Sequence, residues 1–368
     1  MFSPIKPKRT FFGLTFVIAA LMAGQLNVSS AIASDFCWSS QQLRYAEGDE
    51  HIRKDATVTP IPPPTGEAIP APSGFVPISG AVRRVTLPRG APKLVALTFD
   101  LCEQPNEVAG YQGTLVDYLR DNSIKATFFT GGKWMLSHQK RAQQLMADPL
   151  FEVANHSWGH RNLRTVTALR RDEEIRSPQI AYEILRRDLS RYQCLASNGR
   201  DVQRTVRPRM SLFRFPFGAC DAKAIEAVGQ NGLIPIQWDV SSGDPDKRLT
   251  ASEMVSGVVS KVRPGSIVLF HANGRGWRTA EALPKIVAAL ARSQFEFVTV
   301  SELLQYPGAK WEITPDCYDA RPGDTDRYDK LSYALEAQYE RFLTRTTVEG
   351  REQAGRIPRP KSDTAAPK

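Results

Sequence analysis

Apolar and polar positions along the chain form two patterns. One is a short apolar run, and the other is a longer stretch in which apolar residues recur at helical spacing. The short runs are rich in β-branched and aromatic residues, which predicts buried strands. The stretches between them predict helices, several of which follow an Asp or Thr that can cap a helix. The predicted strands are 94–99, 124–130, 151–154, 212–215, 233–238, 266–270 and 295–300, and the predicted helices are 111–121, 133–147, 172–192, 221–230, 250–262 and 279–291.

Seven strands separated by helices predict an α/β fold with a parallel sheet and right-handed crossovers. The strand count favours an irregular (β/α)7 barrel resembling a TIM barrel. A doubly wound nucleotide-binding sheet is the alternative fold. It is disfavoured because no G-x-G-x-x-G and no G-x-x-x-x-G-K-[ST] follows a predicted strand.

The first 33 residues have the features of a secretory signal peptide. A basic start precedes the apolar run 11–23, and Ala31-Ile32-Ala33 offers a small-residue cleavage site. A retained membrane anchor is the alternative, but the run is shorter than the roughly 20 residues of a spanning helix. We therefore expect an exported protein, periplasmic or secreted, that begins near Ser34 and keeps no stable membrane anchor.

Charge and cysteine content narrow the possible partners. Cleavage removes three positive charges and no acidic one, so the formal net charge falls from +9 to +6. The basic residues form no clustered stripe, and we therefore expect no nucleic-acid partner. Five cysteines remain, which allows up to two disulfides in an exported protein, in a connectivity that their spacing does not decide.

The segments that flank the predicted barrel differ from it in composition. The N-terminal segment 34–90 is mostly polar, and its proline-rich part, 57–73, predicts an extended linker. The predicted barrel domain covers 91–306, and 307–347 is a C-terminal extension that we expect to be partly helical. The tail 348–368 is rich in charge, Gly and Pro, which predicts disorder.

Five segments with chemically capable residues lie where predicted strands end. In a parallel barrel these strand ends form one rim, so residues about 170 positions apart can meet at one cleft. This pattern indicates an enzyme. The segments are Thr98-Phe99-Asp100, His156-Ser-Trp-Gly-His160, Arg214-Phe-Pro-Phe-Gly218, Trp238-Asp239 and Leu269-Phe-His271.

Histidines and a carboxylate are the candidate reactive groups. His156 and His160 are two of only five histidines, and their spacing brings two imidazoles close enough to bind one divalent ion, although a pair of core or surface histidines is the alternative. Asp100 follows an apolar run, where a buried carboxylate needs a partner. Arg214 would keep it ionised and orient it as a base. His271 ends another apolar run and is a candidate proton donor.

Together, the five segments resemble the polysaccharide deacetylases of the NodB-homology type, carbohydrate esterase family 4. The resemblance covers about 92–306, with the motifs in the family's order. Thr98-Phe99-Asp100 is similar to the start of the family's first motif, T-F-D-D. The segment 156–160 is similar to H-[ST]-x-x-H, and the segment 214–218 is similar to R-x-P-[YF]-G. The segment 238–244 is similar to the acidic, tryptophan-bearing fourth motif, and the segment 269–271 is similar to L-x-H.

The resemblance implies hydrolysis of N-acetyl groups on an amino-sugar polysaccharide, such as peptidoglycan, a chitin-like chain or an exopolysaccharide. It also implies one divalent metal ion, with Zn²⁺ expected and other divalent transition metals as alternatives. The implied roles are base for Asp100, acid for His271, metal ligands for His156 and His160, support of the base for Arg214, oxyanion binding for the Phe217 backbone N–H and contact with the acetyl methyl group for Leu269.

The first departure from the family pattern concerns the metal. The family's second aspartate, its third metal ligand, is Leu101 here, which cannot coordinate a metal. Glu103 is the preferred replacement, because a carboxylate and two imidazoles make a common open catalytic site. Cys102, Glu107 and a doubly used Asp100 are the alternatives.

The second departure concerns the fourth motif, Trp238-Asp239-Val-Ser-Ser-Gly-Asp244. Ser241 stands where the family has its first acid. Either Asp239 or Asp244 would therefore tune the arginine or the catalytic histidine, and Trp238 would support the cleft.

Two other functions compete with N-deacetylation. An O-acetyl polysaccharide esterase would use the same site on an ester. A carbohydrate-binding pseudoenzyme without metal is the alternative of a different class, because Leu101 removes a ligand. The retained pair of base and acid favours an enzyme, since a binding protein has no use for both.

Overall fold

A curled sheet lies at the centre of the fold in the computed structural model, which describes residues 38–55, 57–189, 206–315, 317 and 324–355. The predicted signal peptide lies outside the described residues, as do Cys37 and Cys194. The strands are β1 (Ala81–Thr86), β2 (Lys93–Leu101), β3 (Ala126–Thr130), β4 (Phe151–Asn155), β5 (Leu212–Phe213), β6 (Ile234–Pro235), β7 (Val240–Ser241), β8 (Ile267–His271), β9 (Phe295–Phe297) and β10 (Lys310–Thr314).

Seven strands form the sheet in the order β6-β5-β4-β3-β2-β8-β7, and β9 pairs with the beginning of β2. All of these pairings are parallel. The predicted α/β architecture, an irregular barrel-like sheet, is confirmed, and each predicted strand is present. β7 is an addition, since its two residues are too few to leave an apolar run in the sequence.

Helices lie between the strands, as the spacing of apolar residues predicts. One predicted helix, 133–147, is divided in two because the chain leaves the helical conformation at His138 (φ −124°, ψ 44°). The His138 ring stacks on Trp134, with ring centroids 4.9 Å apart. The helices are α1 (Ser40–Leu43), α2 (Gly113–Asp121), α3 (Gly132–Ser137), α4 (Gln139–Ala147), α5 (Ala168–Leu189), α6 (Ala222–Gln230), α7 (Ala251–Val259), α8 (Thr279–Arg292), α9 (Val300–Leu304) and α10 (Asp324–Gly355).

The central strand β2 is buried along almost its whole length, which is why it reads as a continuous apolar run. Phe99 lies between Phe128 of β3 and Phe270 of β8, with centroids 5.4 Å away in both directions. Full burial of each such side chain contributes about 1.5–3 kcal/mol to stability. This packing fixes the register of the three strands whose ends carry the site.

The flanking segments are bonded to the barrel. β1 pairs antiparallel with β10, and the disulfide Cys220–Cys317 joins the C-terminal extension to the loop after β5. Trp38 enters the main core, and Arg53 forms an antiparallel bridge with Val108. The proline-rich stretch has no helix or strand among its described residues, as predicted.

Helix α10 runs along the predicted C-terminal extension. Its Tyr339 is buried, with the guanidinium of Arg161 5.4 Å from its ring centroid. The helix continues to Gly355, into the first residues of the predicted tail 348–368. The charged and Gln residues there are good helix formers, which accounts for the extension. In the part of the chain that the structure describes, no helix is long and apolar enough to cross a membrane.

Candidate active site

Asp100 and Arg214 form a buried ion pair at the end of β2. Arg214 Nη1 donates to Asp100 Oδ1 over 2.8 Å and to Thr98 Oγ1 over 2.8 Å. The guanidinium also stacks on Phe129, 3.9 Å from the ring centroid. Arg214 is fully buried and Asp100 is 4% exposed, so each charge depends on the other. The predicted pairing of these two residues is confirmed.

The surroundings of Asp100 keep its carboxyl group ionised. Burial alone would raise its pKa, but the charges of His156, Arg214 and His271 together outweigh burial and lower the pKa. Arg214 occupies one carboxylate oxygen, and the other, Oδ2, lies 3.4 Å from His156 Nε2. Asp100 therefore presents an anionic oxygen beside the first histidine.

His156 follows β4 and has a defined orientation. Its Nδ1 lies 2.9 Å from the carbonyl oxygen of Arg214. A carbonyl can only accept, so Nδ1 carries the proton and Nε2 offers its lone pair toward Asp100. Burial lowers the pKa of His156, which favours the neutral imidazole. A neutral imidazole held by a backbone carbonyl is the form in which histidine binds metals.

His160 lies in the loop after β4, in a left-handed conformation (φ 56°). Its backbone N–H donates to Ser157 Oγ over 3.1 Å, which holds this turn. The rings of His156 and His160 meet edge to face, with centroids 5.1 Å apart. Nδ1 of His160 is buried without a hydrogen-bond partner among the described residues. Burial lowers the pKa of His160 well below its usual value. The predicted proximity of the two histidines is confirmed.

Cys102 is the third potential metal ligand at this place. One donor atom each from Cys102, His156 and His160 lie within 4.8 Å of one another. Cys102 is a free thiol in the described part of the chain and is 3% exposed. Burial raises its pKa to about 12, so without a cation it is a neutral thiol. The unpartnered ring nitrogen and the convergence of three donors fit a divalent metal ion.

The geometry does not support the preferred third ligand, Glu103. Its carboxylate is fully buried away from the histidines and pairs with Lys133. It also accepts from the Ala109 N–H over 3.0 Å and from Ser137 Oγ over 2.8 Å. Leu101 is the last residue of β2 and Glu103 lies two residues beyond it, so no strand periodicity fixes the direction of its side chain.

Glu107, the more distant alternative, is also engaged elsewhere. Its carboxylate is buried and pairs with Arg275 over 2.8 Å and with Lys54 over 3.0 Å. Through these ion pairs, Glu103 and Glu107 hold the loop between β2 and α2 in place. They position Cys102 without replacing the missing aspartate.

His271 ends β8 and is held by Asp244. His271 Nδ1 lies 2.8 Å from Asp244 Oδ1, and Asp244 Oδ2 accepts from the His271 N–H over 2.7 Å and from Thr279 Oγ1 over 2.7 Å. Burial alone would lower the pKa of His271, but the charge and hydrogen bond of Asp244 raise it. An imidazole held in this way is suited to donate a proton.

Asp239 does not reach the site. Its carboxylate accepts from Ser266 Oγ and from the Ile267 N–H, both over 2.8 Å, and therefore fixes the start of β8. Of the two candidate acids in the fourth motif, Asp244 serves His271 and Asp239 serves the strand. Only two of the following five residues, Val240 and Ser241, form a strand, so the direction of each acid could not be read from the sequence.

A cavity of about 430 Å³ joins these groups. Asp100 and His271, which are paired across the neighbouring strands β2 and β8, both face it. Phe217 reaches it from a strained turn with φ 61°, and its ring packs on His160 at 4.5 Å. The cavity is lined by Asp100, His160, Phe217, Trp238, Leu269 and His271, among others.

The sequence analysis missed one partner of the metal cluster. Asn273 is fully buried and its Nδ2 donates to Cys102, 3.1 Å from Sγ and 2.9 Å from the carbonyl oxygen. Asn273 follows His271, the last residue of β8, by two residues, and no strand pattern extends to it.

Comparison with known proteins gives a consistent family. The family model for polysaccharide deacetylase matches residues 88–236. A chitooligosaccharide deacetylase of Sinorhizobium fredii is 30% identical over 191 residues, which is 50% of this chain and 76% of that protein. A peptidoglycan-N-acetylglucosamine deacetylase of Bacillus cereus is 26% identical over 216 residues, 58% of this chain and 89% of the relative.

A longer relative also matches. A bifunctional xylanase/deacetylase of Pseudobutyrivibrio xylanivorans is 27% identical over 216 residues, 59% of this chain. The match spans only 31% of that protein's length.

Proposed function

Because the chain belongs to the polysaccharide deacetylase family of the NodB-homology type, we propose that it removes N-acetyl groups from an amino-sugar polysaccharide with the help of a bound divalent metal ion. One observation carries the proposal. An ionised carboxylate held by Arg214 and an imidazole held by Asp244 face the same cavity, beside His156 and His160. A base, an acid and a metal-binding pair are the groups that amide hydrolysis needs.

Asp100 would act as the general base. The metal ion, when bound by His156 and His160, supplies polarisation of the acetyl carbonyl and a lower pKa for water. Asp100 accepts the proton of the water as it attacks, through the oxygen that Arg214 leaves open. Arg214 keeps the carboxylate ionised and fixed in direction, so little reorganisation is needed during the reaction.

His271 would act as the general acid. The amine of an amide is a poor leaving group until it is protonated. His271 on β8 is paired with Asp100 on the neighbouring strand β2, so the acid would lie beside the base. Asp244 accepts from Nδ1 and so directs Nε2–H toward the cavity. The matched pair completes the proton transfer, with one proton taken from water and one given to the sugar amine.

The apolar side chains would select the acetyl group. Leu269 is 6% exposed at the cavity wall and would contact the methyl group. Trp238 forms the adjacent wall, and the backbone N–H of Phe217 would help bind the oxyanion. We further propose Zn²⁺ as the native ion and export of the protein, where it would meet peptidoglycan, a chitin-like chain or an exopolysaccharide.

Acetate release tests the proposal. The protein is incubated with N-acetylated peptidoglycan, chitin oligosaccharides and an acetylated exopolysaccharide, each with and without a chelator. Acetate that appears only in the presence of metal and is lost in His271→Gln supports an N-deacetylase. Asp239→Asn is the matched control and should retain activity, because this acid fixes the start of β8 and is not among the residues that line the cavity.

Acetylated xylan in the same panel separates the ester alternative. Release from xylan alone would replace N-deacetylation by O-acetyl esterase activity. Binding of glycans without acetate release, at any metal loading, would refute the enzyme and favour a carbohydrate-binding protein.

A further inference from the structure

We propose that Cys102 binds the metal ion as a thiolate, as the third protein ligand beside His156 and His160, and that Asn273 orients its sulfur. The site would then prefer thiophilic divalent ions such as Zn²⁺ and Co²⁺ over Mg²⁺, Ca²⁺ and Mn²⁺. The inference rests on the proposed function only in assuming that the two histidines hold a divalent ion.

The position of Cys102 at the end of β2 is the first argument. Leu101, the last residue of the strand, is fully buried in the main core and offers no donor atom. Cys102 follows it directly, and its sulfur lies beside the donor atoms of the two histidines. Donor atoms around a tetrahedral zinc ion are about 3.3–3.6 Å apart, given usual Zn–N and Zn–S distances. Three donors that already lie within 4.8 Å of one another need only small side-chain rotations to bind one ion.

The hydrogen bonds of the sulfur are the second, independent argument. Asn273 Oδ1 accepts from the Arg275 backbone N–H over 3.3 Å, which fixes the amide so that Nδ2 is the atom directed at Cys102. Nδ2 then donates to Sγ over 3.1 Å and to the Cys102 carbonyl over 2.9 Å. A buried amide that donates to sulfur stabilises negative charge there. This is how outer partners orient and tune metal ligands.

The competing groups are already engaged. Glu103 is paired with Lys133, and Glu107 with Arg275 and Lys54. Neither carboxylate can reach the histidines without breaking a buried ion pair and leaving a charge without its partner. In the described part of the chain, Cys102 is grouped with both imidazoles, with its donor atom within 4.8 Å of theirs. Asp100 Oδ2 lies 3.4 Å from His156 Nε2, but Asp100 is not part of that group and is already paired with Arg214.

Thiolate ligation has a consequence for metal choice. Soft thiolate ligands favour Zn²⁺ and similar ions, whereas carboxylate ligands suit Mg²⁺, Ca²⁺ and Mn²⁺. The resemblance to the family implies an aspartate at the position of Leu101. Exchange of that oxygen ligand for sulfur would therefore narrow the range of ions that this chain retains.

Cobalt spectroscopy tests the ligand without any assay of activity. The full protein is stripped with a chelator and titrated with Co²⁺. We expect one ion per chain and a thiolate-to-cobalt charge-transfer band in the near ultraviolet. Cys102→Ser should lose the band, and its affinity for Co²⁺ and Zn²⁺ should be at least 10-fold lower. Asn273→Ala should keep the band with an affinity about 10–100-fold lower, the usual effect of removing an outer partner.

Cys102→Asp provides the conservative rescue. It should restore binding of one ion without the band and raise the affinity for Mn²⁺ relative to Zn²⁺. The double variant Cys220→Ser with Cys317→Ser is the matched cysteine control and should retain the band, because the disulfide is not part of the cluster. Far-ultraviolet circular dichroism confirms that each compared variant is folded.

The outcomes separate this inference from the proposed function. Co²⁺ binding without a charge-transfer band, or a folded Cys102→Ser variant with unchanged affinity and spectrum, overturns the ligand assignment even if acetate is released. A band that depends on Cys102, in a protein that releases acetate from no substrate, keeps the ligand assignment and rejects the deacetylase.

Discussion

Substitution of Asp244 by Asn tests the acid half of the site most directly. The Asp244 carboxylate has no exposed side-chain surface and accepts three hydrogen bonds of 2.7–2.8 Å, two of them from His271. Asn keeps the shape but loses the negative charge. Burial, which lowers the pKa of His271, is then no longer offset by Asp244. The protonated imidazole would therefore be lost at a lower pH.

The expected loss can be given a size. General acid catalysis contributes about 10²–10⁴-fold to rate, so kcat near neutral pH should fall by about that factor. Loss of hydrogen bonds to a charged group costs about 1.5–3 kcal/mol each, and we expect the free energy of unfolding to fall by about 2–4 kcal/mol. The raised pKa of His271 stabilises the native protein fully below its unfolded value, about 6.5, and this stabilisation disappears as the pH rises through the folded value. The variant should lack this pH-dependent part.

Profiles of kcat/KM against pH measure the effect through acetate release, with folding checked by urea titration. The alkaline limb, where His271 loses its proton, should move to lower pH in Asp244→Asn. Asp239→Asn changes the same functional group in the same segment and should leave the limb unchanged. An unmoved alkaline limb in the Asp244 variant, or an equal shift in the control, would refute the assignment of His271 as the acid held by this carboxylate.

Three further substitutions test the structural supports. Arg214→Gln leaves Asp100 buried without its cation, and urea titration should show a loss of about 3–5 kcal/mol in unfolding free energy; a loss under 1 kcal/mol would contradict the buried pair. Replacement of Cys220 and Cys317 by Ser opens a link between residues 97 positions apart and should cost about 2–5 kcal/mol, measured likewise against the oxidised parent. Lys133→Met strands its buried carboxylate partner, and thermal melts should show a lower midpoint, whereas an unchanged midpoint would argue against this brace.

Most of the architecture could be predicted because the buried strands leave long apolar runs. β2 and β3 are buried on both faces and therefore read without ambiguity. The two-residue strand β7 and the edge pair β1–β10 were missed, since short or half-exposed strands carry little pattern. The break at His138 depends on a tertiary stacking contact, which periodicity does not report.

The site residues, too, were predicted where the local sequence pattern is strong and not where it is weak. Asp100, Arg214, His156 and His271 were found because charged or aromatic residues at strand ends stand out against apolar runs. For the third ligand proposed above, the sequence named Cys102 only as an alternative to Glu103, because a carboxylate is a common partner of two imidazoles. β2 ends at Leu101, so strand alternation does not extend to either residue. The choice between the two acids of the fourth motif required the positions of other strands, which no local pattern contains.

The N-terminal segment around residues 49–54 contacts the loop before α2, and this affects where the chain can be shortened. Arg53 bridges Val108, Lys54 binds Glu107, and the Tyr111 N–H donates to the Asp49 carbonyl. A fragment that starts at residue 88, where the family match begins, lacks all three contacts. It still contains Asp100, both site histidines and His271. Such a fragment also lacks β1 with the fully buried Val82 and Val85, so we expect a lower free energy of unfolding than in the full chain. Cloning boundaries should therefore be set upstream of Trp38.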